Sequence, residues 1–467
     1  MDNYKKIAIS EIDNKEKLVY DVAEKIWDYA ELSLQEYRSC DLFCKVMAEE
    51  GFEVEKGICG IATAFSASFG IGRPVIGVLA EYDALSGITQ DRPTAHGCGH
   101  NLLGAGAMAA ALGIKKYLQE SGHGGTVILY GCPGEEGCAS KAFMARDGLW
   151  NGLDAALTWH PADCNEVVTG SSNSCIQVRY TFYGISSHAS AAPDKGRSAL
   201  DAVELMNIGV QFLREHMSPK ARVHYAITDA GGVSPNVVQS RAEVLYMVRS
   251  NHVKEALELQ DRVDRIAEGA ALMTGTTLNR FFVDGMSDTV TNRTLEEIAY
   301  RNFEELGVPA HTEEELERAK ELAMTYESRE KAPGIGSDFD EEYSENAQEL
   351  RAKQGIYMND FLLPHFKGDA FEPASTDVGD VSYNCPTLQI HVASWPNGCP
   401  GHSRQNVACA GSSLGYKAAV HAGKVLAATA LDLFENEELV RKCNEEFRAR
   451  TKDGYTCPIP EGKVAEL

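Results

Sequence analysis

Three short apolar runs, each followed by side chains that bind metals or protons, constrain the fold of this chain most. The runs PVIGVLA (74–80), GTVILYG (125–131) and DAALTW (154–159) indicate buried strands, and helical segments separate them. Strands that alternate with helices predict a mostly parallel sheet in an α/β domain. Functional side chains of such sheets lie beyond the carboxyl ends of the strands. At these ends the chain carries Asp83, the adjacent pair Glu135 and Glu136, and His160.

The middle of the chain has a different pattern, in which alternating strands and amphipathic helices follow the order βαββαβ. The segments are residues 174–186, 198–217, 222–232, 240–250, 254–275 and 276–287. This order predicts a compact, ferredoxin-like module inserted into the larger domain. We therefore expect a domain formed by residues 1–173 and 291–467, interrupted by an inserted domain of residues 174–290. Within its second part, the Glu-rich and Lys-rich residues at about 311–351 predict an acidic, solvated insertion.

Length and charge limit the possible partners. A chain of 467 residues is long enough for two domains. Its formal net charge of −24, without a Lys/Arg stripe, argues against a nucleic-acid partner or an anionic membrane surface. The N-terminal residues lack the apolar region of a secretory signal, and no apolar run is long enough for a membrane span. With an odd number of cysteines, 13, we expect reduced thiols in a cytoplasmic protein.

Metal-binding side chains recur at the predicted strand ends and in two glycine-containing loops. A thiolate, imidazoles and a carboxylate suit Zn²⁺ or another first-row divalent ion. In hydrolases with two ions about 3.5–4 Å apart, the ions acidify a water that lies between them. One adjacent glutamate would bind metal while the other takes the proton of that water. The candidate residues are Cys98 and His100 in AHGCGHN (95–101), Glu135 and Glu136, His160, and His402 in PGHS.

Two other chemistries compete with this interpretation. Cys98 could act as a nucleophile with His96 or His100 as its base, but the glutamates and the distant histidines would then have no role. A structural zinc site would need a pair of cysteines at the C-x₂-C spacing, which the sequence lacks. His96 either supplements the site or is satisfied within its loop, and we expect the second.

Seven segments, in order along nearly the whole chain, resemble the M20 family of metallopeptidases and amidohydrolases. The resemblance is greatest to the branch that contains the B-type subunit of p-aminobenzoyl-glutamate hydrolase. It implies that residues 1–173 and 291–467 form a catalytic domain and that residues 174–290 form a lid that also makes the dimer. The segments are AEYDAL, AHGCGHNLLGAGAMAAA, GCPGEEG, WHP, GISSHASAAPDKGRSALDA, GGVSPNVV and STDVGDVS.

The resemblance also implies roles for the metal-binding residues. Two divalent ions, Zn or Mn, are expected in each subunit, with Cys98 as the bridging ligand and Glu135 as the general base. Because the first strand ends in EYD rather than in the H-x-D of other branches, Asp83 is expected to orient His100 rather than to bind metal. The remaining ligand positions are His100, Glu136, His160 and His402.

The inserted domain is expected to supply groups that bind substrate. By resemblance, His188 reaches into the site of the neighbouring subunit and stabilises the oxyanion of the tetrahedral intermediate. Asn236 and Arg249 match a pair that holds the carboxylate of the substrate, and an arginine fork suits a carboxylate. Thr376 and Asp377 either contact the substrate or cap a helix.

The expected reaction is hydrolysis of the amide bond of a small N-acyl or aminoacyl amino acid, such as p-aminobenzoyl-glutamate or a dipeptide. One alternative is a dipeptidase or N-acyl-amino-acid deacylase with a different substrate preference. Another is a less active subunit that needs a homologous partner in place of the expected homodimer. The sequence leaves open the preferred amide, the choice between Zn and Mn, and the role of the acidic insertion.

Overall fold

The computed structural model describes residues 3–327, 341–354, 357–368 and 370–466. They divide into two compact units. Unit 1 comprises the described parts of Met1–Ser171, Val290–Glu372 and Asp380–Tyr455, and unit 2 those of Ser172–Thr289, Pro373–Gly379 and Thr456–Leu467. Residues 373–379 and 456–466, which were expected in the larger domain, thus belong to unit 2. Their contacts there include a hydrogen bond from Asn173 Nδ2 to the carbonyl of Pro373 (2.8 Å) and Lys463 Nζ lying 3.8 Å from the centre of the Phe281 ring.

The α-helices follow the amphipathic segments of the sequence. None of those in the described ranges is both long and apolar enough to cross a bilayer. Their bounds are α1 Asn3–Asn14, α2 Glu16–Tyr29, α3 Tyr37–Glu49, α4 His100–Ser121, α5 Ser140–Arg146, α6 Ala199–Leu213, α7 Val253–Thr274, α8 Arg293–Leu306, α9 Glu313–Ala323, α10 Glu341–Gln354, α11 Val378–Ser382, α12 Arg404–Ala410, α13 Ser413–Glu435 and α14 Glu437–Arg450.

The strands include several short pairs besides the long core strands. Their bounds are β1 Glu53–Lys56, β2 Phe65–Ile71, β3 Val75–Ala80, β4 Leu85–Ser86, β5 Thr94–Ala95, β6 Gly125–Gly131, β7 Ala155–Ala162, β8 Glu166–Val167, β9 Ser171–Ser172, β10 Ser174–Tyr183, β11 Arg222–Asp229, β12 Arg241–Ser250, β13 Thr277–Met286, β14 Phe371–Glu372 and β15 Thr387–Ala393.

Unit 1 is built on a seven-stranded sheet with the order β1-β2-β6-β3-β7-β15-β8. The neighbours β6, β3, β7 and β15 run parallel, whereas β1, β2 and β8 at the edges are antiparallel to their partners. The carboxyl ends of the four central strands therefore lie at one edge of the sheet. This arrangement confirms the predicted α/β fold with a mostly parallel sheet.

Small residues allow α4 and α13 to pack closely together and against the sheet. A Cβ atom added at Gly106 would lie 2.6 Å from Nε1 of Trp159, and one added at Gly423 would lie 2.7 Å from the Cβ of Ala109. Interiors this dense have no space for larger side chains. Because His100 is the first residue of α4, this packing also fixes the position of a predicted ligand.

Unit 2 contains a four-stranded antiparallel sheet in the order β11-β12-β10-β13, accompanied by α6 and α7. Along the chain these elements follow the order βαββαβ. The inserted ferredoxin-like module is thus confirmed as a fold.

The chain forms two consecutive helices, α13 and α14, near its C-terminal side, because the side chain of Asn436 accepts hydrogen bonds from the backbone of Glu438 and Leu439 and starts α14. The predicted solvated character of the acidic insertion differs from the structure. In the acidic segment, α9 and α10 bury Ala319 and Ala347 completely, so the described parts of this segment are not fully solvated. Residues 328–340 of that segment lie outside the described residues.

Candidate metal centre

The loop before α4 is shaped by glycine. Gly99 has a φ of +78°, in the left-handed region that glycine adopts without a steric penalty, and a Cβ there would lie 3.1 Å from Cγ of Pro161. A Cβ at Gly97 would lie 2.1 Å from Cδ1 of Ile88. The two glycines therefore allow the loop to bring Cys98 close to β7.

One trio of side chains gathers at the end of β7. Cys98, His100 and His160 each offer a ligand atom within 4.8 Å of the other two, and Cys98 Sγ lies 3.4 Å from His160 Nε2. The Nδ1 atom of His100 donates to Asp83 Oδ1 (2.8 Å), and that of His160 donates to the carbonyl of Pro161 (2.7 Å). Both rings therefore keep Nε2 available to bind a cation. His100 Nε2 is buried without a hydrogen-bond partner, which fits a metal ligand.

A second trio shares the same thiol. Cys98, Glu136 and His402 offer ligand atoms within 4.8 Å of one another, with His402 Nε2 3.6 Å from Glu136 Oε1. Glu136 Oε1 is also buried without a hydrogen-bond partner. His402 has a φ of +52°, which is strained for a residue other than glycine and is typical of functional positions. The residues present thus fit divalent-metal ligands, and both trios include the sulfur of Cys98.

Asp83 connects the two trios through one carboxylate. Besides binding His100, it accepts hydrogen bonds through Oδ2 from Ser33 Oγ and from the backbone N–H of Glu136, both at 2.9 Å. Burial opposes ionisation, but the charge of His100 and its hydrogen bond outweigh it and lower the pKa of Asp83 to about 2. An ionised Asp83 therefore holds the ring of His100 and the loop of Glu136 in fixed positions.

Glu81 and Lys141 are residues of this region that were not predicted from the sequence. Glu81, His100 and Glu135 offer ligand atoms within 4.8 Å of one another, and Glu81 Oε2 lies 3.3 Å from His100 Nε2. The ammonium of Lys141, which is fully buried, lies 2.6 Å from Glu81 Oε1. Burial raises the pKa of Glu81, but the charges of Lys141 and His100 have the larger effect, so the pKa lies below its ordinary value. The one signal in the sequence was an acidic residue at the end of a buried strand.

His96 takes no part in either trio. Its Nε2 donates to the carbonyl of Ile26 at 3.0 Å, and burial lowers its pKa to about 3. This hydrogen bond holds the ring within its loop, while Nδ1 is buried without a hydrogen-bond partner. The thiols of Cys132 and Cys138, which flank the two glutamates, are fully buried.

In unit 2, the segments that carry His188 and Asn236 are adjacent. The carbonyl of Asn236 accepts from the N–H of Ala189 at 3.0 Å, and both predicted side chains are exposed. His188 Nδ1 accepts from the backbone N–H groups of Ser190 and Ala191, each at 3.2 Å. The proton of a neutral His188 ring therefore sits on Nε2, which is a hydrogen-bond donor.

The other two predicted residues of unit 2 also lie together. Arg249 Nη1 donates to the hydroxyl of Ser375 at 2.6 Å, and Ser375 is the residue before Thr376. Thr376 Oγ1 accepts from the N–H of Val378, the first residue of α11, so its hydroxyl caps that helix. No hydrogen bond within the described ranges joins Arg249 or Thr376 to His188 or Asn236.

Replacing Asp284 by Asn should make unit 2 less sensitive to pH. Burial and the charge of Asp377 raise the pKa of Asp284 to about 7, against the opposing charge of Arg249. At pH values between 3.8, the ordinary pKa of an aspartate, and about 7, Asp284 has lost its proton in the unfolded chain but keeps it in the folded chain. Wild-type stability therefore falls as the pH rises through this window, and above it the Asn variant is more stable by up to about 4 kcal/mol.

Denaturant unfolding of both proteins at pH 4.5 and pH 8 measures this difference. The advantage of the variant should be small at the lower pH and large at the higher one. An equal difference at both pH values would contradict the raised pKa.

Known proteins resemble this chain along nearly its whole length. A peptidase dimerisation domain matches residues 171–273. The chain is 42% identical over 455 residues to the B-type subunit of p-aminobenzoyl-glutamate hydrolase from Escherichia coli K12, covering 94% of each chain, and 27% identical to the Xaa-Arg dipeptidase of Mus musculus, covering 96% and 93%. Among solved structures, a dinuclear metal-binding peptidase of the M20 family from Bacillus subtilis aligns with a TM-score of 0.53 and 16% identity, over 90% of this chain and 99% of that one.

Fold and relatives together define the chain as a peptidase-like hydrolase that acts on carbon–nitrogen bonds. Within that class it belongs to the M20 family of metallopeptidases and amidohydrolases, in the branch of the B-type subunit of p-aminobenzoyl-glutamate hydrolase.

Proposed function

We propose that this enzyme hydrolyses the amide bond between a small acyl or aminoacyl group and an amino acid with a free carboxylate. Compounds related to p-aminobenzoyl-glutamate and dipeptides are the favoured substrates, in keeping with the names of its relatives. The observation that carries the proposal is that Cys98 belongs to both metal-capable trios while Glu135 lies beside His100.

The two trios would hold two divalent ions, Zn or Mn, in each subunit. Cys98, His100 and His160 would hold one ion, and Cys98, Glu136 and His402 the other. Bound there, such ions supply Lewis-acid polarisation of the scissile carbonyl and acidify a water molecule. Asp83 keeps His100 oriented toward its ion through the hydrogen bond to Nδ1.

Glu135 is the proposed general base. Its carboxylate takes a proton from the attacking water and delivers it to the leaving nitrogen, which is the usual work of a positioned carboxylate. Glu81 lies close to the same group of side chains, and the ammonium of Lys141 balances its charge. Because the Lys141 ammonium balances the Glu81 carboxylate, Glu135 does not lie beside an unpaired negative charge.

The inserted domain, residues 174–290, would act as lid and dimerisation domain of the catalytic domain formed by residues 1–173 and 291–467. The Nε2–H of His188 would donate to the developing oxyanion in the site of a neighbouring subunit. Asn236 and Arg249 would hold the free carboxylate of the substrate, with Thr376 close to the arginine. The fixed tautomer of His188 and the Ser375 contact of Arg249 support these roles.

We propose that the enzyme is a homodimer formed through the lid. Its E. coli relative is named as one of the subunits of a hydrolase, so a homologous second subunit is the alternative partner. A cytoplasmic location agrees with the odd count of thirteen cysteines, one of which is the proposed shared ligand.

Replacing Arg249 by Ala should raise KM for substrates with a free carboxylate by about 10- to 100-fold, because charged hydrogen bonds contribute about 1.5–3 kcal/mol. The turnover number should change much less, since binding of a remote carboxylate is lost equally in ground state and transition state. Kinetics on a substrate and on its carboxamide analogue check this, because the analogue should be insensitive to the substitution. A fall in kcat with unchanged KM would rule out the assigned role.

A substrate panel tests the function as a whole. The purified chain, loaded with Zn²⁺ or Mn²⁺, should cleave p-aminobenzoyl-glutamate, dipeptides or N-acyl amino acids, and the rank order selects between hydrolase and dipeptidase. Activity that appears only after a homologous subunit is added would indicate the dependent-subunit alternative. Failure to cleave any of them under either condition would refute the proposed function.

A further inference from the structure

Another cluster of metal-binding side chains lies in unit 1, outside the two trios that share Cys98. Cys164, Glu166 and His391 each offer a ligand atom within 4.8 Å of the other two. None was predicted as a ligand, and the proposed reaction uses none of them. We propose that this cluster is a separate site for a zinc-like divalent ion, which ties the short strand β8 to β15.

Sheet register brings two of these side chains together. His391 of β15 is paired with Glu166 of the antiparallel strand β8, and on its other side with His160 of β7. Side chains of residues paired in register lie on the same face of a sheet, as cross-strand neighbours. Cys164 precedes Glu166 by two residues, in the connection from β7 to β8. The pairing of β8 with β15 therefore positions His391 beside Glu166.

The distances within the cluster are close to those of a tetrahedral zinc site. Zn–S and Zn–O bonds of about 2.3 and 2.1 Å place sulfur and oxygen about 3.6 Å apart, and Cys164 Sγ lies 3.5 Å from Glu166 Oε1. His391 Nδ1 lies 2.7 Å from the same oxygen, against about 3.4 Å in a zinc site. The imidazole would need to move by less than about 1 Å.

Burial and chemistry favour a cation here. Cys164 is 2% exposed and Glu166 9%, and the Cys164 thiol donates to the Glu166 carboxylate away from water; a bound ion would take the place of the thiol proton. A divalent ion satisfies both, because soft sulfur and imidazole ligands with one carboxylate suit zinc. The side chain of His391 is 24% exposed, which leaves an entry path and a fourth position for water. The neighbouring Asp163 is engaged elsewhere, since its carboxylate accepts from the N–H of Gly398 at 2.8 Å.

Cadmium is the probe for this site, because thiolate-to-cadmium bonds absorb in the ultraviolet. Chelator-stripped full-length protein is titrated with Cd²⁺, and bound metal is counted after gel filtration. Cys164→Ser should bind one equivalent less than the wild type, whereas Cys443→Ser, which alters a buried thiol outside these clusters, should match the wild type. In Cys98→Ala, where the main centre has lost its shared ligand, the thiolate–cadmium band from Cys164 should persist.

A thermal unfolding assay separates loss of the site from loss of the fold. The melting temperature without metal gives the baseline for each protein, and only the wild type should gain, above its own baseline, the stabilisation that this ion adds. His391→Gln tests the same ligand set at a more exposed position and should lose the same equivalent. Equal cadmium stoichiometry in the wild type, Cys164→Ser and His391→Gln would overturn the proposal and leave a hydrogen-bonded Cys–Glu–His cluster. Absence of the band in Cys98→Ala would overturn it as well.

Discussion

Glu135→Gln should lower kcat by about 10²- to 10⁴-fold, the usual contribution of a general base. The amide keeps the size of the side chain but cannot accept the proton of the attacking water. Metal content should survive, because Glu135 belongs to neither trio that shares Cys98. Steady-state kinetics together with metal analysis of the same preparation measure both quantities.

The adjacent glutamate is the matched control for this experiment. Glu136→Gln should lose activity together with metal, because Glu136 Oε1 is the orphaned acceptor facing His402. The two variants change adjacent residues, and each replaces one carboxylate by an amide of the same size. If Glu135→Gln retained near-normal turnover, or if it lost its ions, the assignment of Glu135 as the base would be wrong.

Cys98→Ala should abolish activity and strongly reduce the affinity for both ions. The reason is geometric, because one sulfur atom is common to the two trios and its removal leaves two protein ligands at each. Two-ligand sites compete poorly with water for a divalent ion. Calorimetric titration with Zn²⁺ and with Mn²⁺ gives the affinities, and the fold is monitored by circular dichroism.

Two further variants define what the sulfur contributes. Cys98→Asp should retain metal and part of the activity, because a carboxylate can bridge two ions as a thiolate does. Cys138→Ala removes a fully buried thiol that belongs to neither trio, and it should bind metal normally. Normal metal affinity in Cys98→Ala would exclude Cys98 as a shared ligand.

The fold class followed from hydrophobic periodicity. The runs that form β3, β6 and β7 are continuous and apolar, as buried parallel strands are, and the segments of β10, β11 and β12 alternate between apolar and polar residues. The antiparallel edge of the sheet was not predicted. Strand β1 is only Glu53–Lys56, with the sequence EVEK, and its identity depends on pairing with β2 rather than on local pattern.

The five candidate ligands could be nominated from strand ends and glycine-flanked loops, and the structure brings the other four together around Cys98. Their roles stay predictions. Glu81 and Lys141 could not be paired from sequence, because sixty positions separate them and only the fold brings Lys141 of α5 to the residue that follows β3. The Cys164 cluster was hidden for the same reason, since the register of β8 and β15 creates it.

The packing of α4 has a consequence for how such enzymes diversify. Its glycines let Trp159 and α13 approach so closely that larger residues would collide, and the same helix begins with His100. Substitutions in this helix therefore disturb both the packing of the core and the position of His100, a proposed metal ligand. The residues proposed to hold the substrate carboxylate belong to the other compact unit, so substitutions that change substrate preference there would leave the proposed metal ligands unaltered.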